Sequence, residues 1–163
     1  MFHLLIAAIV ALQGAAAVFP APERHDFVAR NFKFESGAVL PEVTIHYRTV
    51  GTPIRDARGR ITNGVLVLHG SSGDAGQVLA PSFSEPLLAK GAPLDAGRHF
   101  LIFPDNLGNG RSSKPSDGLR AKFPKYSYGD MVALQHQLVT QHLGIERLRL
   151  VIGISMGGMQ AWL

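Results

Sequence analysis

Three observations predict an α/β fold in which a mostly parallel sheet is flanked by helices. Strand-like apolar runs alternate with helix-like stretches along most of the chain. The run Gly64-Val65-Leu66-Val67-Leu68 is continuously apolar and ends at His69-Gly70, the pattern of a short parallel strand buried on both faces. Finally, Arg147–Ile152 feeds directly into Gly153-Ile154-Ser155-Met156-Gly157, and the helix-forming stretch Met159-Gln160-Ala161-Trp162-Leu163 follows at once.

Each element has its own signal. Phe27–Phe34 and Val43–Val50 are strand-like, and Glu35-Ser36-Gly37 offers a turn that would pair them antiparallel. Gly64–Leu68 is the next strand, and a short helix over Ser84–Lys90 is closed by Gly91. Arg98–Phe103 is a further strand, stopped by Pro104, and a long loop then runs to Tyr126. Ser127 with Asp130 three residues on reads as a capping box. Met131, Leu134, Leu138 and Val139 fall on one face of the helix it opens, which continues to Leu143 with Gly144 as its stop. Arg147–Ile152 is the last strand. No internal repeat is present.

Composition narrows the class. The 163 residues, 46% hydrophobic and 17% charged, have the balance of one globular domain rather than a disordered chain. The formal charge of +4 is spread along the sequence, and its one local cluster, Arg55-Asp56-Ala57-Arg58-Gly59-Arg60, reads as a solvated turn, so no nucleic-acid partner is expected. Cysteine is absent, which removes disulfides, thiolate chemistry and Cys-based metal sites. The seven histidines show no ligand spacing; His136 and His142 read as surface positions, and no metal or cofactor site is expected.

The N-terminus has the outline of a secretory signal peptide. Leu4–Leu12 is an unbroken apolar run too short to span a bilayer, and Ala15-Ala16-Ala17 suits a signal peptidase. Pro20 and Pro22 block helical continuation, although Met1-Phe2-His3 lacks the usual Lys or Arg. Residues 1–17 are therefore expected to be removed. The remainder, 18–163, would be exported, periplasmic or secreted, with no stable membrane anchor.

The chemistry centres on Ser155. A strand that turns abruptly into a helix forces its corner residue into a strained backbone, and the positions two before and two after must be nearly free of side chain. Gly153 and Gly157 occupy those positions, and Gly158 loosens the packing further. With 18 glycines the G-x-S-x-G spacing arises by chance in roughly one such chain in ten. The strand before it and the helix after it carry the assignment: Ser155 as nucleophile, with the Met156 backbone N–H donating to a developing oxyanion. His69-Gly70-Ser71-Ser72, just after the Val65–Leu68 strand, is the second signal. The Ser71 backbone N–H is expected to be the other oxyanion donor, with His69 and Gly70 shaping the loop. Asn106-Leu107-Gly108-Asn109-Gly110-Arg111 lacks a third glycine and a following helix, so it reads as a structural loop rather than a dinucleotide site.

Together these motifs resemble the α/β-hydrolase superfamily, and within it the homoserine O-acetyltransferase-like branch, from about Val43 to Leu163. The most specific stretch is "HLGIERLRLVIGISMGGMQAW", and "PLDAGRHFLIFPDNLGNG" is similar too. The resemblance implies an α/β-hydrolase fold, Ser155 as the residue that accepts the acyl group, and a small-molecule acyl substrate. The sequence departs from authentic transferases in having the short "DNLGNGRSSKP" loop, and an exported protein would meet little acetyl-CoA; both favour hydrolysis. In this fold the triad acid and His follow the serine, yet Met156–Leu163 contains neither. The chain is thus expected to be the N-terminal part of an enzyme, lacking strands beyond the Ser155 strand. Three functions follow: an exported hydrolase of ester or related acyl bonds, a homoserine O-acetyltransferase-like acyltransferase, or an inactive truncated chain. Oligomeric state is left open.

Overall fold

The computed structural model describes residues 19–163; the expected signal peptide lies outside the described residues. Strands β1 (Glu23–Lys33), β2 (Val39–Val50), β3 (Gly64–Leu68), β4 (Phe100–Pro104) and β5 (Leu150–Gly153) form one sheet in the order β1-β2-β4-β3-β5. β1 with β2 and β2 with β4 are antiparallel, whereas β3 pairs parallel with both β4 and β5. The sheet is therefore mixed rather than mostly parallel, because the opening hairpin supplies two of its five strands.

Helices cover both faces, so alternate residues of the central strands serve two separate cores. Leu66 and Leu68 of β3 and Phe100 and Ile102 of β4 pack with Phe34, Ile45, Leu134 and Leu138. Val65, Val67, Leu101 and Phe103 face the other way, against Val78 and Leu88. This explains why β3 and β4 read as continuous apolar runs. The second layer contains α1 (Ala75–Val78) and α2 (Pro81–Leu88); the first contains α3 (Tyr128–Gln137) and α4 (Met156–Trp162).

Several boundaries differ from the sequence expectation. β1 begins at Glu23 rather than Phe27, because its register with β2 extends from Lys33↔Val39 as far as Glu23↔Thr49. β2 runs through Pro41, which falls out of the register between Leu40↔Phe32 and Glu42↔Arg30; on β1 the unpaired Asn31 adopts φ 50, a left-handed conformation that asparagine tolerates. α2 starts at Pro81, its first-turn proline, and ends at Leu88 rather than Lys90. β5 starts at Leu150 rather than Arg147. The helix expected to reach Leu143 does so by widening: Leu138–His142 is a π turn, with Leu143 N–H donating to Leu138 O at 3.0 Å, and Gly144 follows at φ 66. His136 and His142 are both exposed, as expected, and His142 also meets the Tyr47 hydroxyl with its Nε2 at 3.0 Å and packs its ring near Phe27.

The capping box at α3 also ties the β1–β2 turn to the helix. Ser127 Oγ accepts from Asp130 N–H at 3.2 Å and donates to Glu35 Oε2 at 2.5 Å. Asp130 is buried and accepts from Ser127 N–H at 2.9 Å and from Glu35 N–H at 2.8 Å. Ser127→Ala removes the cap and one arm of this link, and is expected to lower stability by about 1–2 kcal/mol. A denaturant titration reads this as a lower midpoint at unchanged slope.

Candidate active site

Two segments converge at the C-terminal ends of the parallel strands. The first is the corner between β5 and α4. Ser155 sits there at φ 51, ψ −116, a conformation that costs a non-glycine residue about 1–3 kcal/mol. The corner is held because Ile154 N–H donates to Leu68 O at 3.1 Å, pinning it to the end of β3. A Cβ on Gly153 would collide with the Gly157 carbonyl, and a Cβ on Gly157 would lie 2.5 Å from Leu68 O. Both glycines are thus required by backbone packing. Gly158 has more room, its nearest neighbour being Gly153 O at 3.3 Å. Ser155 is exposed, while the Met156 side chain is buried beneath it. As the first helical residue, Met156 has a backbone N–H with no carbonyl of its own helix to bond.

The second segment is the turn after β3. An ideal Cβ on Gly70 would lie 3.6 Å from Ser155 Cβ and 3.6 Å from Ile154 O, so this turn rests against the corner. Gly70 N–H donates to Gln77 Oε1 at 2.7 Å, and Gly73 N–H donates to Gly70 O at 3.2 Å. The exposed Ser71 keeps a backbone N–H without an acceptor among the described residues. Its carbonyl is held: Asn109 Nδ2 donates to Ser71 O at 3.1 Å and to Gly73 O at 3.3 Å. A cleft of about 500 Å³ opens here, lined by Ser71, Gly73, Asp74, Gln77 and Asn109.

His69 is fully buried and both its ring nitrogens are occupied. Nε2 accepts from Asn106 N–H at 2.9 Å, and a backbone N–H can only donate. The other nitrogen, Nδ1, therefore carries the proton and donates to Gly70 O at 2.7 Å. The ring shapes the turn and has no nitrogen left to accept a proton from Ser155. Asp105, equally buried, is spent on structure: its carboxylate accepts from Ala75 N–H and from Arg111 N–H, each at 2.8 Å. The loop Asp105–Ser113 thus joins β4 to the turn that carries Ser71. The loop pattern predicts a structural role but not the Asn109 clamp on Ser71, whose signal in the sequence is a polar amide between glycines shortly after a buried strand. Among the described residues no cluster of three or more His, Cys, Asp or Glu could hold a metal ion.

Residues 64–163, which include both segments, match the alpha/beta hydrolase fold family. The chain belongs to that family. A probable acyltransferase of Methanothermobacter thermautotrophicus is 40% identical over 137 residues, covering 83% of this chain and 41% of that protein. A homoserine O-acetyltransferase of Trichormus variabilis is 41% identical over 137 residues, covering 79% of this chain and 36% of the relative. Among solved structures, an acetylester hydrolase from Corynebacterium glutamicum superposes with a TM-score of 0.72 at 26% identity, covering 85% of this chain and 38% of that one. This α/β-hydrolase chain spans about two fifths of the length of the relatives it matches. The similarity to the homoserine O-acetyltransferase-like branch extends beyond the stretch around Ser155 to most of the chain.

Proposed function

We propose that this chain carries the nucleophile and the oxyanion donors of a serine acyl-transfer enzyme that hydrolyses ester or related acyl bonds. The supporting observation is the Ser155 corner: an exposed serine at φ 51, held between two glycines that admit no Cβ, with the Ser71 turn resting against it. Ser155 Oγ attacks the substrate carbonyl, and the Met156 and Ser71 N–H groups receive the oxyanion. The leaving group departs, and water then attacks the acyl-enzyme to release the acid and free Ser155. A general base must take the serine proton. His69 has both nitrogens committed, so we place the base and its acid partner outside residues 1–163, in keeping with the greater length of the relatives.

A second function uses the same acyl-enzyme but delivers the acyl group to a hydroxyl acceptor such as homoserine; the names of the matched transferases favour it. The product distinguishes the two. The protein as its source makes it is supplied with p-nitrophenyl acetate or acetyl-CoA, with and without homoserine. Hydrolysis predicts free acetate from the ester whether or not homoserine is present. O-acetylhomoserine as the main product from acetyl-CoA would overturn it in favour of transfer.

We further propose export through residues 1–17. N-terminal sequencing of the protein recovered from its source is expected to begin at Val18. A mature chain that retains Met1–Ala17 contradicts this.

A further inference from the structure

A line of buried amides crosses the core between the two segments of the site. Asn106, whose backbone N–H holds His69, accepts at its side-chain Oδ1 from Gln135 Nε2 at 2.6 Å. The second hydrogen of the same Gln135 amide goes to Gln160 Oε1 on α4 at 2.9 Å. Gln160 in turn donates from Nε2 to the Met131 sulfur. Asn106, Gln135 and Gln160 are 1%, 5% and 3% exposed.

Primary amides are costly to bury, and here they border a face built mainly of Phe, Ile and Leu side chains. Methionine at 135 or 160 would fill nearly the same space without that cost. What the amides supply is direction. Both Gln135 donors are used, which sets its side chain between Asn106 and Gln160, while Asn106 Nδ2 at the end of the line is buried without a partner among the described residues. Gln160 lies four residues after Met156, on the same face of α4. The line therefore runs from the helix that begins beside Ser155, through α3, to the ring that sets the Ser71 turn.

We infer that Asn106, Gln135 and Gln160 act as positioning residues, holding the Ser155 corner and the Ser71 turn in one register so that both oxyanion N–H groups face the same point. This rests on the assignment of Ser155 as nucleophile. Donors separated onto two segments need such a tie, because a misplacement of about 1 Å costs about a hundredfold in rate.

The test is Gln160→Met in the protein as its source makes it, with Gln135→Met as the second variant should the first not fold. A fluorophosphonate probe is followed to completion at Ser155. The positioning role predicts an unchanged end-point, a labelling rate constant lower by about tenfold or more, and a kcat lower by a similar factor at a KM within about twofold. Amide hydrogen exchange at Asn106 should also be faster. A reduced end-point at an unchanged rate constant would mean only a misfolded fraction and overturns the inference, as does an unchanged rate with unchanged exchange. Wild-type protein that is never labelled at Ser155 contradicts the nucleophile assignment instead. In that event the exchange at Asn106 decides the tie: faster in Q160M supports it, unchanged overturns it.

Discussion

Ser155→Ala is expected to lower acyl transfer by about 10⁴-fold or more, some 5 kcal/mol of transition-state stabilisation, without unfolding the protein. Ser155 is exposed and its side chain makes no capping hydrogen bond to α4, so removal of the hydroxyl leaves no buried group unsatisfied. The loss should fall on kcat, because the Met156 and Ser71 amides remain to bind the carbonyl. Ser155→Gly separates activity from strain still more clearly. Glycine adopts φ 51, ψ −116 without a side-chain clash, so this variant should be as inactive as S155A yet more stable by about 1 kcal/mol. Steady-state rates with a chromogenic ester, beside thermal melts of the three proteins, check both halves. An S155A variant with wild-type activity would remove Ser155 from the chemistry.

The largest effect on stability is expected at Gly157. An alanine Cβ there would lie 2.5 Å from Leu68 O and 2.8 Å from His69 O, both backbone atoms at the end of a buried strand. Neither can retreat without moving β3, so Gly157→Ala should cost about 3 kcal/mol or more, a large share of the roughly 5–15 kcal/mol typical of a folded domain. Gly153→Ala, which drives into the Gly157 carbonyl, should behave alike. The contrast is Gly158→Ala: its Cβ has 3.3 Å to Gly153 O, and alanine is the better helix former, so stability should change by less than about 1 kcal/mol. Denaturant midpoints of the three variants give the order. If Gly157→Ala and Gly158→Ala prove equally mild, the corner is not packed as described.

The same packing explains which features were legible in the sequence. The corner at Ser155 could be read because steric crowding leaves glycine as the only residue at 153 and 157, and β3 and β4 because burial on both faces produces continuous apolar runs. The capping box at Ser127 and Asp130 was legible because it is local. Features set by distant partners were not. The polar start of β1 forms a strand only because β2 is there to pair with it, and the four residues of α1 are too few to show a period. The π turn at Leu138–His142 keeps Leu138 and Val139 buried, so its hydrophobic spacing resembles that of an ordinary helix end. Least legible was the site's second segment. His69 could be seen beside Gly70 and Ser71, but not that Asn106 and Gly70 would occupy both its nitrogens, nor that Asn109 would reach back to Ser71. The bonds from Asn106 and Asn109 join the loop after β4 to the turn after β3 across more than thirty positions of sequence.

The most direct test of Ser155 as an activated nucleophile is covalent. Protein taken from its native source is treated with a fluorophosphonate, which phosphonylates only activated serines, then digested and mapped by mass spectrometry. The structure predicts a single adduct, on the peptide that contains Gly153–Gly158, lost in Ser155→Ala. An active esterase or acyltransferase that carries no adduct on that peptide, or carries it on another serine, would contradict the central assignment.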